Sequence, residues 1–269
     1  MDRAGTGRSI WSFDGFPPSY EALLSESRHP ADANEIIVDI VAEAGVSAQS
    51  LVVDVACYDA GPSVPLIERF GCQLIGVDLS RHGFDARRKA GGDVDVGGRL
   101  SFVQGAGEAI PLATASCDLA WCRDAISCMD CGAGLRELAR VTKPGGTVMV
   151  YTACATSLLE PRERETLYTL LALDPDSMDA AAIEREASVA GLERWRHVRT
   201  GNQWVQRRLE RTGSPFDLLS LARLTEWPER YVAAWGETWY RRILAWHQWP
   251  VYHALGKLET HLWAFRVPR

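Results

Sequence analysis

The chain has 269 residues, a net charge of −6 and a pI of about 5.6. That length suits one large domain, or one domain with a substantial insertion, and a core that needs neither disulfide nor metal. The acidic balance argues against nucleic acid, no run of about eighteen apolar residues offers a membrane span, and Met1–Arg8 lacks the apolar stretch of a signal peptide. A soluble cytoplasmic protein is therefore expected. Its seven cysteines, an odd number set inside apolar segments, read as reduced thiols.

Residues 1–30 read as an arm or lid, punctuated by Gly15, Pro17 and Pro18, with a short helix from Tyr20 to Arg28. Pro30 can open the next helix; Ile36, Ile37, Ile40 and Val41 recur at helical spacing, and Gly45 closes it. Leu51–Val55 is a β-branched run. A helix follows, with Val64, Leu66, Ile67 and Phe70 on its buried side and Gly71 at its end, then a second strand, Leu74–Asp78. Such a strand–turn–helix–strand unit binds its ligand outside the carboxyl ends of the strands. The turn offers backbone N–H groups there, and an acid on the second strand can accept hydrogen bonds from ribose.

Ser80 to Ala90 reads as a helix and the glycine-rich stretch 91–98 as a loop. Leu100–Gln104 and Cys117–Cys122 are the third and fourth strands. Leu135–Val141 is helical with Leu135, Leu138 and Ala139 inward, Lys143-Pro-Gly-Gly146 stops it, and Thr147–Thr152 is the fifth strand. Alternation throughout 50–152 predicts a parallel sheet wrapped by helices. Beyond 155 the pattern predicts helices over Arg162–Leu173 and Ala180–Ala190, an edge strand over Leu192–Arg199 guarded by charge, and a last strand over Thr260–Val267. The segment 204–257 is mainly helical. Eight of the ten tryptophans lie after residue 190, and Tyr231, Trp235, Trp239, Ile243 and Trp246 follow one another at three- and four-residue steps.

The run Leu135–Gly146 leading into strand five, the stretch Glu108–Leu112 followed by Cys117–Ala120, and the order and spacing of Asp54 and Asp78 together resemble the class I S-adenosylmethionine-dependent methyltransferases. The resemblance covers residues 30–155 well and the last strand loosely. It implies a Rossmann-like, doubly wound, mostly parallel seven-stranded sheet. The core would span 31–200 with 258–269, under an N-terminal helical lid and a helical cap at 201–257. It also implies the cofactor, with S-adenosylhomocysteine as product. Asp54 and the turn Ala56, Tyr58 and Gly61 would approach its methionine part, Asp78 would hold the ribose, and Leu79 would lie on the adenine. Ala106, Gly107 and Glu108 would border the adenine edge. Cys122 and Arg123 would face the meeting point of donor and acceptor. The family's turn carries glycine at the positions of Ala56, Tyr58 and Ala60, and many relatives have an acid where Ala106 stands. Tyr58 thus puts a ring where the family has no side chain, either stacking over the cofactor or filling its pocket.

The expected acceptor is a small, largely apolar or aromatic metabolite, as in natural-product biosynthesis, enclosed by residues 11–30 and by the cap. Tyr20, Trp204, Trp235, Trp239 and His247 are the candidates for binding it, because aromatic walls are usual in small-molecule sites. The Trp stripe reads equally as a packed helix face. His29 or Asp124 would serve as base, with His247 and His253 as further candidates. Cys128-Met-Asp-Cys131, one CxxC without a second pair, reads as thiols rather than a metal site. A homodimer is compatible with the sequence. Two other functions fit the same fold: a non-methylating cyclisation or rearrangement, or a binding protein whose donor site Tyr58 closes.

Overall fold

The computed structural model describes residues 33–90, 95–212 and 216–269. The expected arm, its Tyr20–Arg28 helix and His29 lie outside them. Among the described residues seven strands form one sheet in the order β3-β2-β1-β4-β5-β7-β6. They are β1 (Leu51–Val55), β2 (Gln73–Asp78), β3 (Leu100–Gln104), β4 (Cys117–Arg123), β5 (Thr142–Ala155), β6 (Glu193–Gly201) and β7 (Leu258–Arg266). The first five run parallel, and β7 is antiparallel to both β5 and β6. The expected seven-stranded, doubly wound α/β sheet is present, and β6 lies at its edge.

The central strands are apolar on both faces because helices cover both. On β1, Val53 and Val55 join one core, with Leu135, Leu138 and Val141 of α4 (Cys131–Val141) and Ile183 and Ala187 of α6 (Ala180–Val189). Val52 joins the other, with Ile37, Ile40 and Val41 of α1 (Ala33–Glu43) and Leu66 and Ile67 of α2 (Val64–Phe70). Helix α3 (His82–Ala90) follows β2, and α5 (Pro161–Leu171) follows β5.

Two boundaries differ from expectation. Helix α4 starts at Cys131, because Asp130 caps it by accepting the Ala133 N–H at 2.6 Å. Its early glycines hide that start in the sequence, yet the packing requires them: a Cβ on Gly134 would stand 2.8 Å from Met129 Sδ. Lys143-Pro-Gly-Gly146 lies inside β5 rather than before it, at a register shift between β4 and β5. Ala139 is only partly buried.

Between β6 and β7 the chain forms α7 (Gln203–Thr212), α8 (Phe216–Glu226), α9 (Pro228–Trp235) and α10 (Glu237–Ala254). The three- and four-residue aromatic spacing from Tyr231 to Trp246 crosses a break between two helices. Gly236, at φ 80°, ends α9 and turns the chain into α10. Trp235, Trp239 and Trp246 then face outward, 42%, 59% and 68% exposed. Ala245 and His253 form the buried side of α10, and His247 Nδ1 bonds Asp217 Oδ1 at 3.0 Å, tying α8 to α10. Since β5 and β6 both oppose β7, the cap leaves the sheet and returns to it at the edge that carries the carboxyl ends of β1, β2, β4 and β5. Among the described residues no helix is long and apolar enough to cross a membrane.

Candidate active site at the strand tips

The turn after β1 keeps the backbone of a glycine-rich loop without the glycines. Ala56, Tyr58 and Ala60 have φ of 58°, 51° and 56°. Side chains resist this left-handed region, at a cost of roughly 1 kcal/mol or more per residue, so the surroundings must hold it. The holding contacts are specific. Asp78 Oδ2, at the tip of β2, accepts the Tyr58 N–H at 2.8 Å, and Asp59 Oδ1 accepts the Gly61 N–H at 2.9 Å. The Cys57 N–H bonds the Val77 carbonyl at 3.2 Å.

Beneath the turn, Ser63 donates to Asp54 Oδ2 at 2.6 Å and accepts the Trp121 indole N–H at 2.9 Å. Asp54 is 3% exposed. Burial pushes its carboxyl up to about 7, against the opposing Ser63 hydrogen bond and the Arg123 charge. Asp54 therefore acts through the turn that it clamps. Ser63 and Trp121 complete this clamp, and neither was marked by any local sequence pattern.

Beside the turn, Asp78 Oδ1 accepts the Ser80 N–H at 2.9 Å, and Leu79 stands 72% exposed. Ala106 bridges to Ala109, and a Cβ on Gly107 would lie 2.7 Å from Met129 Sδ, so that segment is packed against Met129, two residues before α4. Glu108 Oε1 faces the Asp130 N–H at 3.3 Å. Arg140 fixes the following residues by donating to the Ile110 and Leu112 carbonyls while paired with Glu137.

At the tip of β4 the Arg123 guanidinium lies 5.3 Å from the Tyr151 ring centre, and its Nε is 3.6 Å from Asp124 Oδ2. Asp124 adopts φ 54° and donates its N–H to the Tyr151 carbonyl at 2.7 Å. The protein crowded around its carboxyl raises it to about 6, opposed by Arg123. The side chain is nonetheless 59% accessible, so water tempers that rise. Tyr151 is 3% exposed; burial pushes its phenol up to about 12, against hydrogen bonds with Thr200 and Thr260. It was not singled out from sequence.

Strand alternation turns Cys122 the other way. Its thiol is fully buried in the core shared with α4, and burial raises its pKa. Only its backbone can border the cleft, which corrects the expectation that Cys122 faces the meeting point. The tips thus gather Ala56, Tyr58, Gly61, Asp78 and Leu79, with Arg123 ending β4 and Asp124 just after it. The expected acceptor set is not gathered in the same way. Trp204 meets His253 edge-on at 5.1 Å, Trp235 and Trp239 face solvent, His247 is held by Asp217, and Tyr20 lies outside the described residues. Among the described residues no cluster of His, Cys, Asp or Glu could hold a metal, and Cys128 is exposed while Cys131 is buried.

Residues 53–150 match the family model described as a methyltransferase domain. The chain is 31% identical over 158 residues to malonyl-(acyl-carrier protein) O-methyltransferase of Enterobacter lignolyticus (strain SCF1), covering 56% of each chain. It spans about half the length of the curated relatives it matches. Its fold resembles a putative sarcosine dimethylglycine methyltransferase from Galdieria sulphuraria, with TM-score 0.65, 18% identity and coverage of 87% of this chain and 85% of that one. It also resembles the (4+2)-cyclase SpnF, with TM-score 0.64, 17% identity and coverage of 87% and 81%. The matched segment, which resembles a methyltransferase domain, is the one that holds the left-handed turn, the Asp78 tip and the Arg123–Asp124 tip.

Proposed function

We propose that the protein transfers a methyl group from S-adenosylmethionine to a small, largely apolar or aromatic acceptor. One observation carries this reading: the β1 turn keeps three left-handed residues and is latched to the Asp78 carboxylate although its glycines are gone. Such a backbone lets N–H groups approach a ligand closely. Asp78 keeps lone pairs for ribose hydroxyls beside the two N–H groups it accepts, and exposed Leu79 suits the face of a base. The cradle fits an adenosyl group.

Bound there, the cofactor supplies an electrophilic methyl carbon, so the protein's task is alignment and exclusion of water. Asp124 is the base of this reading. A carboxyl raised by its surroundings, less where water reaches it, is ionised at neutral pH yet holds a proton better than an ordinary aspartate, so its Oδ2 can take the proton that an acceptor hydroxyl sheds. Arg123, braced on Tyr151, keeps that carboxylate charged. Trp204, with Trp249 near His253, supplies aromatic surface at the cap's return to this edge and supports an apolar acceptor.

Calorimetric titration with S-adenosylmethionine and S-adenosylhomocysteine tests the reading. The wild type should bind both. Asp78→Ala should weaken binding by about tenfold or more, and Asp78→Asn, which still accepts the Tyr58 N–H, by less. No binding to the wild type would end the assignment, and an unchanged Asp78→Ala would end the ribose role. Cofactor binding with no methylated product from any acceptor would point to a rearrangement on the same scaffold.

A further inference from the structure

Tyr58 occupies a position where the turn's backbone calls for no side chain. Its amide is pinned by Asp78 at 2.8 Å, so the start of its side chain lies beside the carboxylate assigned to ribose. Tyr58 is 52% exposed, which places it outside the interior of the turn. Its ring centroid lies 6.4 Å from that of His82, with the planes 42° apart. His82 opens α3, three residues past exposed Leu79.

Gly83 explains how these rings come together. A Cβ there would stand 2.3 Å from the carbonyl carbon and oxygen of Tyr58 and 2.8 Å from the Asp59 nitrogen. Those are backbone atoms of a turn held from beneath by Asp54 and Ser63, so they cannot step aside cheaply. Only glycine lets the first turn of α3 seat directly on the strained turn. Tyr58 in the turn and Gly83 in the helix, far apart in sequence, are therefore one structural unit.

We infer that Tyr58 and His82 form an aromatic rim to the nucleoside site, seated by Gly83, and that the phenol ring covers the sugar side of a bound adenine nucleoside. The inference rests on the reading of this cleft as an adenosyl site. A ring folded into the trough as a plug would be buried, and Tyr58 is half exposed. Covering the sugar removes water from the Asp78 hydrogen bonds and strengthens them. The rim must open for the nucleoside to leave, so it acts mainly on dissociation.

The test is titration of S-adenosylhomocysteine by calorimetry, with stopped-flow displacement for the off-rate and a thermal melt for each variant. Tyr58→Phe should bind within about twofold of wild type, since the ring and not the hydroxyl does the covering. Tyr58→Gly should bind about tenfold more weakly, chiefly through faster dissociation, which corresponds to about 1.4 kcal/mol. It should melt no lower than wild type, because glycine is at ease at φ 51°. His82→Ala should weaken binding by about threefold. If Tyr58→Gly binds as tightly as wild type, the ring is a bystander; if it binds more tightly, the ring is a plug; either result overturns the rim. A wild type that fails to bind overturns the adenosyl reading itself, and the rim falls with it.

Discussion

His253 carries an unfavourable burial that nothing near it repays. It is fully buried in α10, edge-on to Trp204 and tilted to Trp249 at 5.8 Å, and neither ring nitrogen has a hydrogen-bond partner among the described residues. Burial lowers its pKa to about 4. The unfolded chain takes up this proton near 6.5, while the native state waits until about 4, so the unfolded state binds more protons between those values. Stability from this group therefore falls by roughly 3 kcal/mol as pH drops from 6.5 towards 4. Asp54 acts in the opposite sense: its folded pKa of about 7 lies above its model value of 3.8, so its effect on stability worsens as pH rises across that interval. His253→Phe keeps a ring of similar size and removes the unpaired nitrogens. Urea unfolding should show it more stable than wild type by about 1–2 kcal/mol at pH 7, with a larger gain at pH 5. A variant less stable than wild type at both values would mean that His253 has a partner in solution.

At the scale of elements, the decisive join is the clamp between the β1 turn and β4. Ser63 Oγ serves Asp54 and Trp121 at once, and all three are buried. Ser63→Ala leaves an acid and an indole N–H unpaired in the interior. The expected loss is about 2–4 kcal/mol in chemical unfolding, together with weaker S-adenosylhomocysteine binding, because the turn loses its support from below. A loss of stability with unchanged affinity would show that the contacts to Asp78, Asp59 and Val77 hold the turn without Ser63. Elements were legible where their signals are local. The apolar spacing of α1 and α2 and the β-branched run of β1 emerge as expected. The start of α4 was not legible, because Gly132 and Gly134 read as breakers until Glu186, Met129 and Ile126 are seen pressing on them. The break at Gly236 was equally hidden, since an aromatic spacing of three and four runs straight across it.

For the molecule as a whole, β7 is the keystone of the sheet. It runs antiparallel between β5 and β6, pairing with β5 from Leu258 to Arg266 and giving β6 its partner in the sheet. It also ends the cap, so its start fixes where the cap returns beside the strand tips. Deleting residues 258–269 should expose the long central β5 and detach β6, leaving a protein that aggregates or melts without a cooperative transition in circular dichroism. A soluble, cooperatively melting truncation would show that the five parallel strands stand alone. The outward tryptophans belong to this scale too: they ride on helices far along the chain from the core segments, and Trp239 and Trp246 stay largely exposed, the Arg242 guanidinium lying 5.7 Å from the Trp239 ring centre.

The amino-acid sequence by itself determined the alternation of strands and helices over 50–152, the acids at the tips of β1 and β2, and hence the edge at which a nucleoside would lie. These follow from hydrophobic period and turn chemistry, which act over a few residues. The three-dimensional packing alone decided what the altered turn does. It kept left-handed backbone at Ala56, Tyr58 and Ala60, sent the Tyr58 ring outward against His82, and made Gly83 necessary. It also turned Cys122 into the core and two predicted acceptor tryptophans into solvent. Such outcomes depend on contacts between segments remote in sequence, whose energies no local pattern contains.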